Sequence, residues 1–280
     1  MSMSRSHWAS LVPVLFALGG CTLILGYGDE AELARDAGAP DAAEASSPAD
    51  GSAPPDDRPF CETRSPKPTF CASFDGPSFL SEWMESHATN ARIERDTSSF
   101  VSPAASLRVA LDREDSGPVS CGVGATFHAW ADKPFSVTVG FDLQIEAAAP
   151  VDALAVIANP IYFTVPGRAS YLVQLAGRPL ADGSTIAVSL VEVTNSPDAS
   201  RGHSSSVSLQ IGTWTHVELT MALAGTNNSA RLALDGVVGF EGPLELSATG
   251  TPHTIFGIAT VDPETTAWAY RVDNVTLDFR

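Results

Sequence analysis

Hydrolysing a glycosidic bond takes two carboxyl groups, about 5 Å apart for retention and up to about 9.5 Å for inversion. Residues two or four apart share one face of a strand, so the spacing of acids along alternating segments shows whether such a pair exists. The nearest approach is Asp142 with Glu146 in FDLQIE, where four residues of extended chain leave roughly 14 Å between them, too far for the reaction. Glu192, Glu218 and Glu241 stand alone in their segments, and each is expected to be a solvated side chain. No two of His87, His128, His203, His216 and His253 sit at ligand spacing and there is no CxxC pair, which argues against zinc. GxSxG, HExxH and GxxxxGKS strings are absent as well, so no reaction is expected from local motifs.

Sugar binding needs different groups: flat rings beside hydrogen-bonding side chains, because a pyranose has an apolar face and a polar rim. His128 and Trp130 in TFHAWADKP, Tyr162 in NPIYFTVPG, and Trp268 with Tyr270 in TAWAYRVDN are the candidates. Asp142 and Gln144 alternate with apolar neighbours and could line a groove or simply be wet. Packing in the core or at its rim competes with ligand stacking for Trp130 and Trp268. Trp214 and Phe141 are expected in the core.

The whole chain has 280 residues with a formal charge of −17, 18% charged and 44% hydrophobic residues. That apolar content supports a packed core, and the acidic balance excludes a nucleic-acid partner, since no basic stripe could displace counterions from phosphates. Charge and apolar content are unevenly distributed. Residues 8–28 form an uncharged run after Arg5, with an apolar stretch at 11–18 followed by Gly19 and Gly20, which predicts an export signal over residues 1–20. Leu18, Gly19, Gly20 and Cys21 resemble the lipobox of bacterial lipoproteins, which implies acylation of the Cys21 thiol. An uncleaved membrane helix is the competing reading, because TLILGY continues the apolar run. Residues 21–59 are predicted to be a disordered linker. Their stretch 29–57 holds nine acidic residues, one arginine and no aromatic or β-branched residue, so it has nothing with which to build a core.

Residues 60–280 alternate in hydrophobicity and carry turn residues every 8 to 14 positions, the pattern of an all-β, two-layer antiparallel sandwich. FSVTVGFDLQIE at 135–146, TIAVSLVEVT at 185–194, THVELTMAL at 215–223 and the closing RVDNVTLDF each read as strands, and Asp235 with Gly236 marks a hairpin turn. Only 79–91, through Leu80, Trp83, Met84 and Ala88, offers helical spacing. Cys61 and Cys71 flank a proline-containing loop and are the preferred disulfide of an exported chain. Cys71 with Cys121 is the alternative.

The order GTWTHVELTM, ARLALDG, FGIAT and YRVDNVTLDF resembles the concanavalin A-like lectin/glucanase superfamily, especially its laminin G-like jelly rolls. FCASFDG at 70–76 is similar to the family's opening strand, which lies beside the last one. The resemblance implies a jelly roll over 60–280 and one structural calcium, with Asp75 and Asp273 at the matching positions. Glucanases of the superfamily carry an ExDxE or ExDxxE strand, and this chain has none. The expectation is therefore a lipid-anchored, monomeric protein of the cell envelope, sorted to the outer membrane. Its jelly roll would bind a glycan or cell-surface ligand without catalysis and without a required cofactor. The alternatives are an envelope glycoside hydrolase or polysaccharide lyase on the same scaffold, and a structural or adhesive surface protein that binds another protein.

Overall fold

The computed structural model describes residues 58–81, 83, 85–89, 91–111, 120–126, 135–148, 155–164, 171–194, 200–223, 227–245, 251–256 and 268–280. Cys21, the acidic linker up to residue 57, His128 and Trp130 lie outside the described residues. One helical turn, α1 (Phe60–Thr63), precedes β1 (Phe70–Ala72), β2 (Glu85–Thr89), β3 (Ala91–Asp96), β4 (Ser106–Leu111) and β5 (Ser120–Thr126). The long central strands follow: β6 (Phe135–Ala147), β7 (Ala155–Thr164), β8 (Tyr171–Pro179), β9 (Thr185–Thr194) and β10 (Ser200–Gln210). β11 (Trp214–Leu223), β12 (Ser229–Leu234), β13 (Val237–Pro243), β14 (Thr251–Phe256) and β15 (Ala269–Phe279) complete the chain.

These strands pair into two antiparallel sheets. The first runs β13-β12-β11-β6-β15-β4-β3, with β1 also on β15, and the second runs β10-β9-β8-β7-β14-β5-β2. As expected, the opening strand lies beside the last, with Phe70 opposite Leu277. Period-two alternation explains the layering. Val137, Val139, Phe141, Leu143 and Ile145 of β6 are at most 1% exposed and face the second sheet's Val173, Leu175, Ile186, Val188 and Leu190 in one core cluster, while the intervening residues of β6 face outward. The β12–β13 turn has φ of 48° at Asp235 and 79° at Gly236, the left-handed pair that a two-residue hairpin matching strand twist requires.

The helical spacing at 79–91 is overruled. Glu85–Thr89 pairs as β2 with β5, from Glu85 opposite Gly124 to Thr89 opposite Ser120. Trp83 is buried, edge-on to Phe70 and stacked with Phe74. Tertiary pairing outweighs a weak local preference here.

Cys61 and Cys71 are joined in a disulfide, which ties α1 to β1. The Cys61→Ser/Cys71→Ser double variant is expected to lose about 3 kcal/mol by the loop-closure argument. Urea unfolding with and without reductant checks this, and equal midpoints for the two proteins would refute it.

Candidate functional site

The polar residues of β6 are not wet. On the outward face of the first sheet Asp142 and Gln144 are each only 9% exposed. Their partners come from β11, β15 and the connection after β3. Gln144 accepts from Arg271 Nη1 at 2.9 Å and from Ser99 Oγ at 3.2 Å, and donates to Gly212 O at 2.9 Å. Asp142 holds His216 Nδ1 at 2.7 Å and accepts from Asn274 Nδ2 at 2.7 Å. Arg271 also meets Asp96 and Glu146, both at 2.7 Å, and Arg108 bridges Glu146 and Glu94. Burial pushes the Asp96 carboxyl up, but hydrogen bonds from Ser98 and Arg271 outweigh it and hold it at about 2. A layer so fully paired has few groups left for a ligand, so the expectation that Asp142 and Gln144 line an open groove is corrected.

The aromatic expectations change too. Trp268 is 1% exposed and Tyr270 0%, and the Tyr270 hydroxyl donates to Ile157 O of the opposite sheet at 2.8 Å. Both rings belong to the core and cannot stack on a ligand. They share the inward row with Val272, while Arg271 and Asp273 take the other face. Trp214 departs from its expected place in the opposite direction. It shares the outward row of β11 with His216, Glu218 and Thr220, is partly exposed, and donates through Nε1 to Ser99 Oγ at 3.0 Å. Glu192, expected to be solvated, is fully buried, with His203 Nε2 at 2.6 Å and the Glu245 amide at 2.9 Å. His203 lies against the Phe240 ring where β10 meets β13, so this pair joins the sheet edges. Glu218 and Glu241 lie near the surface beside Arg231.

The second sheet also has an outward face. Leu172, Ala176, Val191 and Val193 form a cluster separate from the main core, which identifies the outward rows. Along one of them Thr126, His253, Tyr162, Leu172, Val193 and Ser200 stand opposite one another in backbone register. Gln174, opposite Val191, starts the next row. Six strands span roughly 24 Å in the hydrogen-bonding direction, the length of a short oligosaccharide. Among the described strands these rows include one carboxylate residue, Glu85 opposite Gly124 on the edge strand. Sequence reasoning singled out Tyr162 alone. The other members become visible only through pairing of β7 with β14 and β8.

Asp75 and Asp273, 198 positions apart in sequence, come close enough for their charges to interact. Asp273 is 0% exposed and accepts the amides of Val101 at 2.8 Å, Ser102 at 3.0 Å and Asn274 at 2.8 Å. Burial raises its carboxyl to about 7 against those three donors, and Asp75 adds to the rise. Both Asp75 carboxylate oxygens are buried without a hydrogen-bond partner. Arg95 holds this loop through the carbonyls of Phe74 and Asp75, at 3.1 and 2.6 Å, rather than through the carboxylate. A cavity of about 130 Å³ lined by Phe74, Asp75, Pro77 and Phe79 opens alongside. Two acids that repel each other in a buried place, one without donors, suit a hard cation taking oxygen ligands. Among the described residues no group of three His, Cys, Asp or Glu side chains could hold a metal, so further ligands would be backbone oxygens or water.

Among the described residues no helix is long and apolar enough to cross a membrane. No family model matches the chain, and no curated protein is similar enough to match it. Solved structures do. An endo-β-1,4-glucuronan lyase from the fungus Trichoderma reesei superposes with a TM-score of 0.53 at 11% identity, covering 75% of this chain and 95% of that one. A β-glucanase from Bacillus licheniformis gives 0.45 at 10% identity, covering 75% and 98%. Likeness at such identity is a likeness of fold, and function does not follow from it. With its two antiparallel sheets and adjoining first and last strands, the chain is a β-sandwich of the concanavalin A-like jelly-roll type.

Proposed function

We propose that this protein is a cell-envelope lipoprotein, anchored through Cys21, whose jelly roll binds carbohydrate without turning it over along the outward face of the second sheet. The observation that carries this reading is the register row that brings His253, Tyr162 and Thr126 side by side, with Gln174 in the adjoining row. A phenol, an imidazole, a hydroxyl and an amide are the groups that recognise a pyranose. Glu85 alone among the described strands of that face does not make the carboxylate pair that hydrolysis needs. The acidic linker keeps the domain away from an anionic membrane surface by self-repulsion.

A glycan array with the full chain in detergent tests this. Tyr162→Ala and His253→Ala are each expected to weaken binding about tenfold, near 1.4 kcal/mol. Unchanged binding in both variants would remove the site from this face.

A second reading, elimination on a uronate polysaccharide, is favoured by the same Tyr162 and His253 pairing, because a β-elimination needs a proton acceptor and a proton donor rather than two acids. The neighbour of highest similarity given above is a glucuronan lyase. Appearance of an ultraviolet-absorbing unsaturated product from polyglucuronate, lost in Tyr162→Phe, would decide for it. We also propose that Asp75 and Asp273 hold one structural calcium, which would neutralise both acids and tie the β1–β2 connection to β15.

A further inference from the structure

We infer that Arg95 is a positioning residue whose guanidinium keeps the Asp75 carboxylate turned inward toward Asp273, so that the acid pair is formed before a cation arrives. The purpose of this hold rests on the calcium reading, while the hold itself is tested without any metal.

β3 places Arg95 on the side of the sheet that faces the core. It stands opposite Leu107, which is fully buried, and shares its face of the strand with Ile93, which packs on the core. A charge placed there must be paired or hydrogen-bonded. Among the described residues no acid pairs with it. Nε donates instead to Phe74 O at 3.1 Å and Nη2 to Asp75 O at 2.6 Å. A planar fork of donors can grip two successive carbonyls at once, and these two belong to the turn that carries Asp75.

That turn is strained. Phe74 has φ of 60°, a left-handed conformation that a bulky residue keeps only where its surroundings force it. Its ring is fixed by stacking on Trp83, and its carbonyl is fixed by Arg95. Gly76, Pro77 and Ser78, which follow, are exposed, so packing does not fix the turn from that side. The outcome is a carboxylate with both oxygens buried and without a hydrogen-bond partner. Turned outward, Asp75 would regain water and escape the charge of Asp273. Relief of strain and solvation pull the same way, so the inward state needs a hold from outside the turn.

Asp273 is secured by more contacts. It also adjoins a left-handed residue, Asn274 with φ of 53°, where the register of β15 shifts. Three backbone amides bond its carboxylate, and the Asn274 side chain is tied to Ser102 and Asp142. Loss of one of those contacts leaves the rest. On the other acid, Arg95 is the residue that bonds Asp75 itself among the described residues.

Charge and position make opposite forecasts for this arginine. A guanidinium near a cation site repels the cation, so removing its charge alone would tighten binding. Removing a residue that preforms the pair leaves the cation to turn Asp75 inward, and binding weakens.

The test compares the full chain in detergent with its Arg95→Gln variant. In chelator, well below the melting temperature, carbodiimide with an amine should label Asp75 several-fold more in the variant, as read by peptide mass spectrometry. Calcium titrated by calorimetry should bind the variant about tenfold more weakly. Should Arg95→Gln not fold, Arg95→Lys takes its place, since an ammonium keeps the charge but not the planar fork. Equal labelling of Asp75 in the two proteins would overturn the hold. Equal or tighter calcium binding in the variant would overturn its part in the cation site. A wild type that binds no calcium, with Asp75 labelled only in the variant, would dismiss the metal and still support the hold.

Discussion

Trp268→Ala should lower the free energy of unfolding by about 3–5 kcal/mol, on the order of 10 °C in melting temperature for a domain of this size. The ring is fully buried, and its Cη2 lies 3.6 Å from where a Cβ on Gly177 would be, beside Ile157 and Ile186 of the second sheet. Truncation would open a cavity between two β-sheets whose hydrogen-bonded frames relax little. Urea unfolding measures the loss, and the glycan array read well below the melting temperature separates packing from recognition. A Trp268→Ala protein of near wild-type stability that no longer binds sugar would return this ring to the ligand site. Tyr270→Phe is the milder companion. It keeps the ring and removes the bond to Ile157 O, worth about 1 kcal/mol.

Calcium added after chelation should raise stability by about 4 kcal/mol at a thousandfold excess over its dissociation constant. Without a cation, burial holds the Asp273 carboxyl at about 7, well above the ordinary range of an aspartate. A group raised on folding contributes stability below its unfolded pKa and loses it as pH rises through the folded one. In chelator, stability should therefore decline between about pH 4 and pH 7, whereas calcium should flatten that decline. Asp273→Asn removes the charge repulsion and the metal response together, so its melting temperature should be insensitive to calcium. Equal melting temperatures for the wild type with and without calcium would dismiss the ion.

The alternation of β6 was enough to assign Val137, Val139, Phe141, Leu143 and Ile145 to the core, and the Asp235–Gly236 turn was legible from two residues because only a left-handed pair closes such a hairpin. The same alternation, followed more strictly, would have put Trp214 with His216 outside and Tyr270 with Val272 inside. Residue type suggested otherwise, since tryptophan suits both cores and sugar sites. The 79–91 segment could not be settled locally, because the residues of β5 that it pairs with lie 31 to 39 positions further along the chain.

The residues alone were enough for the class of fold, the faces of a strand as regular as β6 and the Asp235–Gly236 turn, and they favoured Cys61 with Cys71 over the alternative pair. All depend on neighbours within a few residues or on a period of two. Which groups meet across the outward face of the first sheet was settled by the tertiary structure alone. Asp142 meets His216 across 74 residues and Asn274 across 132, and Asp273 holds the Val101 amide across 172. A strand's period states which way a side chain points. What waits there is set by the order in which strands join the sheet and by the loop that folds over it, and neither is written in local spacing.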